Sequence, residues 1–165
     1  MSEVFFIADL HLGHKGIITF DATKPFRPFA TIEEHDAELV RRWNAVVGKN
    51  DSVWVLGDFC FGKHSLAIAG ELNGTKRLVM GNHDMYPAAD YLRYFTRLCG
   101  VVEFKGAVLS HVPVHPSQLD RWRFNVHGHL HTKAIDDPRY FCVSAERQNL
   151  TPISWDEVLR KREGL

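Results

Sequence analysis

Apolar runs that end on short polar motifs constrain the fold of this chain more than any other feature of its sequence. The first run covers residues 4–8 and is continuously apolar, which is typical of a strand that is covered on both faces. The motifs are Asp9-Leu10-His11, Gly57-Asp58, Gly81-Asn82-His83-Asp84, Ser110-His111 and Gly128-His129-Leu130-His131. They supply carboxylates, an amide and several imidazoles, which are ligands for divalent metals. The sequence therefore predicts a metal site that is assembled from strand ends.

Strand and helix signals alternate in the first half of the chain. Thr31 begins a capping box at the start of a predicted helix, which ends at Gly48. The other predicted elements of this half are strands over residues 53–56 and 77–80 and a short helix over residues 65–72. A β-α-β-α-β order predicts a largely parallel sheet that binds ligands at the carboxyl ends of its strands. Asp9, Asp58 and Asn82 follow predicted strands, so we expect them at that edge.

The second half of the chain carries short strand signals. The predicted strands cover residues 101–104, 107–109, 124–127 and 140–143. Their close spacing favours antiparallel pairing. A helix is predicted over residues 87–98, where Pro87 suits the first turn. Ser154 and Glu157 form a second capping box, which begins a terminal helix that reaches about Arg160.

Composition excludes several classes of protein. Twenty basic and twenty acidic residues cancel in a chain of 165 residues, so no net charge attracts long nucleic acid or an anionic membrane. Cys60, Cys99 and Cys142 are an odd number of cysteines without close spacing, which argues against a disulfide framework and fits a reducing compartment. We expect a cytoplasmic protein with one domain over residues 1–165, because neither a signal peptide nor a membrane-spanning apolar run is visible.

The order of the motifs resembles that of the calcineurin-like metallophosphoesterase superfamily. The resemblance extends from Asp9 to His131, and the flanking sequences DLHLGH and LGDFCF are similar to those of small phosphoesterases of bacteria and their phages. It implies an α/β fold, a sandwich of two mixed β-sheets flanked by helices. It also implies a metal-dependent phosphoesterase, in which a hydroxide that bridges two divalent metal ions attacks phosphorus.

The resemblance assigns a role to each matching residue. The implied ligands are Asp9, His11 and His131 for one metal, Asn82, His111 and His129 for the other, and Asp58 as the bridge. His83 is the implied catalytic histidine, which stabilises charge on the phosphoryl group or protonates the leaving oxygen. Asp84 is implied to orient His83 or its loop. Phe61 departs from the pattern, because many members carry at this position an aspartate that hydrogen-bonds behind the ligands.

Several residues outside this set have two interpretations. His14 and His115 lie near implied ligands, so they either contact substrate or are ordinary polar residues. Arg27 stands between two prolines, where it is either a loop charge or a phosphate clamp on a lid over the site. Four phenylalanines either pack in the core or against loops, or stack a base, namely Phe26, Phe29, Phe59 and Phe61. Stacking of a base would favour a nucleotide substrate.

The leading functional hypothesis is hydrolysis of a small phosphodiester or a nucleotide. Diesters are favoured over monoesters, because an alkoxide leaving group gains most from acid catalysis. A nuclease acting on single-stranded nucleic acid is an alternative, and it would need a basic track from residues such as Arg121 and Arg123. A metal-binding interaction module with weak catalysis is a third hypothesis, although all implied ligands and His83 are present. Mixed carboxylate, amide and imidazole ligands favour two manganese ions, with iron, zinc or nickel as alternatives.

Overall fold

Two β-sheets with covering helices make up the protein, as seen in a computed structural model that describes residues 2–164. The strands are β1 (Val4–Ile7), β2 (Ser52–Val55), β3 (Thr75–Val79), β4 (Arg97–Cys99), β5 (Val101–Phe104), β6 (Ala107–Ser110), β7 (Phe124–His127), β8 (Tyr140–Cys142) and β9 (Ile153–Ser154). The α-helices are α1 (Ile32–Val46), α2 (Ala88–Tyr91) and α3 (Trp155–Arg162). Short 3-10 helices cover Lys15–Ile18, Lys24–Phe26, Lys63–Gly70, Pro116–Gln118 and Ala145–Gln148. Among these elements, no helix is both long and apolar enough to cross a membrane.

Both sheets contain parallel and antiparallel pairs. The first has the strand order β4-β3-β2-β1-β9, in which only β9 runs antiparallel to its neighbour. The second has the order β5-β6-β7-β8. The predicted α/β sandwich of two mixed sheets is therefore confirmed.

The antiparallel pairing predicted for the second half holds for one pair only. Strands β5 and β6 form an antiparallel hairpin, but β6, β7 and β8 pair in parallel. Residues 111–123 and 128–139 connect these parallel strands. Connections of about a dozen residues are long enough for the chain to cross over and re-enter the sheet in the same direction.

The helix predicted over residues 87–98 is wrong in its second half. Only Ala88–Tyr91 is α-helical, and the chain then enters β4, which pairs in parallel with β3. The main-chain groups of β4 therefore bond to the neighbouring strand, and this tertiary contact overrides the local helical pattern. The short helix predicted over residues 65–72 is also replaced, by a 3-10 helix over Lys63–Gly70.

Alternate residues of β1 face two different cores. Phe5 and Ile7 pack with Trp43 of α1, whereas Phe6 packs with Phe124 of β7 between the two sheets. Burial on both faces explains why this strand is continuously apolar. The amide of Ala8, directly after β1, donates to the carbonyl oxygen of Val143 at 2.9 Å. The two sheets therefore meet at the carboxyl end of β1.

Candidate metal centre

Loops that follow five strands meet at the edge where the two sheets join. The implied ligands lie after β1 (Asp9, His11), β2 (Asp58), β3 (Asn82), β6 (His111) and β7 (His129, His131). Main-chain hydrogen bonds of 3.0 Å join these loops, from the Asp9 amide to the Gly57 carbonyl and from the Gly128 amide to the His111 carbonyl. The carboxyl ends of strands from both sheets thus converge on one place.

Asp9, His11 and His131 form one group of candidate ligands. One side-chain atom of each lies within 4.8 Å of the others. Both ring nitrogens of His11 are buried, and neither makes a hydrogen bond to any residue in the 2–164 range. Burial lowers the pKa of His11 well below its usual value, so its imidazole is neutral and able to bind a cation. These observations fit a metal ligand, because a buried unpaired nitrogen needs a partner.

The Asp58 carboxylate lies between the imidazoles of the two implied metal positions. Its Oδ2 atom is 3.5 Å from His11 Nε2 and 3.4 Å from His111 Nε2. Burial alone would raise the pKa of Asp58, but hydrogen bonding by His111 and by the His83 amide lowers it to about 2. Asp58 is therefore ionised at neutral pH and stands where a bridging ligand would stand. Asp9 also belongs to a second group of candidate ligands. One of its side-chain atoms lies within 4.8 Å of one atom of Asp58 and one atom of His111.

Asn82, His111 and His129 form the second group. The Nε2 atom of His111 lies 2.9 Å from Asn82 Oδ1 and 3.2 Å from His129 Nδ1. The other nitrogen of His111 is 2.8 Å from the Leu56 carbonyl oxygen. That bond fixes the imidazole with Nε2 turned toward the site, an arrangement common behind metal-binding histidines.

Five of the implied ligands have a left-handed backbone. Their φ angles are 57° at Asp9, 51° at His11, 54° at Asp58, 68° at His129 and 52° at His131. The segments from Asp9 to His11 and from His129 to His131 are therefore not extended strands. Non-glycine residues adopt this conformation at an energetic cost, and such residues cluster at functional sites because the surrounding structure enforces them.

Gly128 allows the His129 loop to approach β1 closely. A Cβ atom at this position would lie 2.5 Å from Ala8 Cβ and 2.8 Å from Asp9 Oδ2. The close approach lets the His129 amide donate to Asp9 Oδ2 at 2.9 Å. Asp9 also accepts a hydrogen bond of 2.6 Å from the Ser144 hydroxyl, so its carboxylate is held from two sides.

Asp84 holds together the loops that follow β2 and β3. Its carboxylate accepts hydrogen bonds from the amides of Asp58, Phe59 and Gly81 at 2.8 to 3.0 Å. Of the two roles that the family resemblance implied for Asp84, the contacts show loop positioning. A catalytic part for Asp84 stays a prediction, and these contacts support an indirect one through the loops.

Arg27 occupies neither of the two places expected for it. It is fully buried, and its guanidinium donates to the carbonyl oxygens of Asp9 and Leu10 instead of entering a cleft. Its Nε atom lies 2.8 Å from Glu146 Oε1, which is also 3.0 Å from His131 Nδ1. These contacts make Arg27 a buried support of the segment that carries Asp9, and they do not support the substrate contact expected of it.

Ser144 and Glu146 are site residues that the sequence interpretation missed. Ser144 bonds to Asp9, and Glu146 bonds to His131. Both follow β8 within four residues. The rule that ligands gather at carboxyl ends of parallel strands would have identified them, had β8 been recognised as a parallel strand.

A cleft of about 650 Å³ opens beside the candidate ligands. His14, Phe61 and His83 line it together with His11, His129 and His131. His14 thus lies where a substrate contact requires it. His115 does not line this cleft; it is exposed and caps the 3-10 helix Pro116–Gln118, so the contact expected of it is not supported.

Two proteins of mycobacterial phages are similar to this chain in sequence. The Gene 66 protein of Mycobacterium phage D29 is 33% identical over 198 residues, covering 96% of this chain and 94% of that protein. The Gene 66 protein of Mycobacterium phage L5 is 43% identical over 90 residues, or 51% of this chain. That match spans only 41% of the phage L5 protein.

Solved structures resemble the fold over most of the chain. A protein of unknown function from Aquifex aeolicus has a TM-score of 0.74 at 25% identity, covering 98% of this chain and all of that one. The nuclease MPE of Pseudomonas putida has a TM-score of 0.53 at 19% identity, covering 78% of this chain and 61% of that one. The second likeness concerns the fold alone.

The profile of the calcineurin-like phosphoesterase family matches residues 3–163, nearly the whole described chain. The clustered carboxylates and imidazoles are the ligand types that a metal-dependent phosphoesterase requires. With its fold, its strand-end motifs and this match, the chain belongs to the calcineurin-like phosphoesterase family, and it is a metal-dependent phosphoesterase.

Proposed function

We propose that the protein is a phosphodiesterase with two divalent metal ions, and that residues 1–165 act as one domain. The position of Asp58 carries the proposal, because its ionised carboxylate lies between His11 and His111, one from each candidate group. A carboxylate has two oxygens and can bind two cations at once. A site with a single metal ion would leave the histidines of one group without a metal to bind.

The residues that would hold the metals are those gathered in the two groups. They are Asp9, His11 and His131 on one side, Asn82, His111 and His129 on the other, and Asp58 between them. Manganese suits this mixture of oxygen and nitrogen ligands, with iron, zinc or nickel as alternatives. When bound, such a pair of cations polarises a phosphoryl oxygen and lowers the pKa of a water molecule.

The position of His83 in the cleft supports a role for it in assisting the leaving group. It is half-buried in the cleft, and its ring centroid lies 5.8 Å from that of His11. Its amide donates to Asp58 Oδ1 at 2.9 Å, which ties the position of the histidine to that of the proposed bridge. A proton delivered by this imidazole to the departing alkoxide favours a diester, whose leaving group is strongly basic.

A nuclease is the second candidate, because nuclease MPE of Pseudomonas putida has a similar fold. The structure disfavours the basic track expected from Arg121 and Arg123. Arg123 directly precedes β7, and its amide donates to the Gly106 carbonyl before β6. Both arginines thus lie at the amino ends of strands whose carboxyl ends carry the candidate ligands. We therefore favour a small phosphodiester or nucleotide as substrate.

Metal-dependent hydrolysis of a model diester tests the proposal. Protein stripped of metal by chelation should not cleave bis(p-nitrophenyl) phosphate, and added Mn²⁺ should restore cleavage. A reloaded protein that holds two ions per chain and still cleaves no phosphoester would contradict it.

A further inference from the structure

We propose that the cleft beside the metal centre binds a planar aromatic group carried by the phosphoester, and that Phe20 forms the wall of this subsite. The inference rests on the proposed function, since it places the phosphate at the candidate ligands. It adds a substrate class: phosphoesters with an aryl ring or a nucleobase, in preference to purely aliphatic ones.

Apolar side chains line the cleft beside the histidines of the candidate centre. They are Ile17, Phe20, Ala22, Phe61 and Leu130, and the polar side chains Thr23, Thr132 and Lys133 complete the lining. A phosphate at the histidines would therefore leave the rest of the substrate against apolar side chains. The volume of about 650 Å³ lies within the ~300–1,000 Å³ typical of small-molecule sites.

A series of ring contacts connects the proposed catalytic residue His83 to Phe20 at the rim of the cleft. The rings of Phe61 and His83 are 4.8 Å apart, and Phe61 stacks on His14 at 4.0 Å with an interplanar angle of 12°. Phe20 meets His14 edge-on at 5.7 Å.

Phe20 presents an uncovered apolar surface at the rim. Its side chain is 54% exposed although it borders the cleft. Its amide donates to the Gly16 carbonyl oxygen at 2.9 Å, and its ring lies against Gly16, where a Cβ atom would be 2.7 Å from it. A ring that packs against the main chain has less freedom to lose when a ligand stacks on it, which lowers the ordering cost of binding. Aromatic rings of all kinds stack on such a surface, because stacking needs only a π-face.

Phe26 supplies a matched control. It lies in the same segment and is 47% exposed, but it lines a different cavity with Pro25 and Pro28. Loss of either ring removes a similar exposed surface from the same loop. Only the loss of Phe20 changes the proposed subsite.

The experiment compares two non-hydrolysable ligands, phenylphosphonate and methylphosphonate, by calorimetry with the Mn²⁺-loaded protein. We expect phenylphosphonate to bind about tenfold more tightly, as one stacked ring typically provides. Phe20→Ala should reduce this preference to less than about threefold with little change for methylphosphonate, and Phe26→Ala should retain the full preference. Phe20→Leu, which keeps an apolar side chain without a flat face, should lie between them.

Two results would overturn the inference. One is equal affinity of the wild-type protein for both phosphonates; the other is a Phe20→Ala variant that keeps the full aryl preference. Hydrolysis of bis(p-nitrophenyl) phosphate is measured on the same samples. Metal-restored hydrolysis without aryl preference refutes the subsite and leaves the proposed function intact, whereas aryl preference without hydrolysis supports the subsite and refutes the proposed phosphodiesterase.

Discussion

Arg27 and Glu146 are 119 residues apart in the sequence and form a buried ion pair, with 2.8 Å between Nε and Oε1. The pair joins two segments of the candidate centre. Arg27 bonds to the carbonyl oxygens of Asp9 and Leu10, and Glu146 bonds to His131. Ligand segments from opposite ends of the chain are thus held by one buried contact, which makes Arg27 and Glu146 positioning residues.

We expect Glu146→Gln to weaken metal binding by ~10–100-fold, the usual effect of removing a carboxylate behind a metal-binding histidine. The substitution also leaves Arg27 buried without its counter-charge, which should lower the free energy of unfolding by about 3–5 kcal/mol. Competition with a chromophoric chelator measures the first effect and urea denaturation measures the second.

Glu33→Gln is the control for Glu146→Gln, since Glu33 is an exposed residue in the first turn of α1. It should match the wild-type protein in both assays. A Glu146→Gln variant with unchanged metal affinity would show that this carboxylate does not position His131.

We expect Asp58→Asn to lose both metal ions together, because the carboxylate contacts a histidine of each group. Elemental analysis after reloading with Mn²⁺ measures the content per chain. Asp21→Asn, which changes an exposed acid, should keep two ions. Retention of one ion by Asp58→Asn would instead assign Asp58 to a single metal.

Asp9 should contribute less to the stability of the metal-free protein as the pH rises from about 4 to 7. Burial raises the pKa of Asp9 from 3.8 to about 6, while His131 and His111 partly offset the rise. The folded state therefore binds the carboxyl proton of Asp9 more tightly than the unfolded state does. Its contribution to stability is present below pH 3.8 and is lost as the pH passes 6, a change of about 3 kcal/mol.

Asp9→Asn isolates this effect, because an amide does not titrate. In chelator, the stability of the wild-type protein relative to Asp9→Asn should fall by roughly 3 kcal/mol between pH 4 and pH 7. Urea denaturation at both pH values gives the difference. Parallel pH profiles for the two proteins would show that burial of Asp9 does not disfavour its charge.

Local sequence patterns were enough for β1, β2 and β3 of the first sheet and for the edge at which the candidate ligands lie. Residues 4–8 form a continuous apolar run because β1 is covered on both faces, and the run can be recognised from the sequence alone. The positions of Asp9, Asp58 and Asn82 follow from the rule that parallel strands present ligands at their carboxyl ends. The wider sandwich came from the family resemblance.

Local sequence patterns could not predict contacts between segments that are far apart in the chain. The parallel pairing of β6 with β7 depends on a crossover through residues 111–123, which has no periodic signal. The pairing of Arg27 with Glu146 depends on where two loops meet in the fold. The left-handed backbone at His11 is likewise enforced by tertiary contacts, since local sterics disfavour it.

Metal-restored hydrolysis with and without His83 tests the central claim most directly. Metal-stripped wild-type protein and His83→Gln are titrated with Mn²⁺, and cleavage of bis(p-nitrophenyl) phosphate and p-nitrophenyl phosphate is followed alongside metal content. We expect the wild-type protein to regain hydrolysis, mainly of the diester, and His83→Gln to bind the same two ions with ~10²–10⁴-fold slower turnover. Equal rates for the two proteins, or no hydrolysis by wild-type protein that holds two ions, would contradict the account.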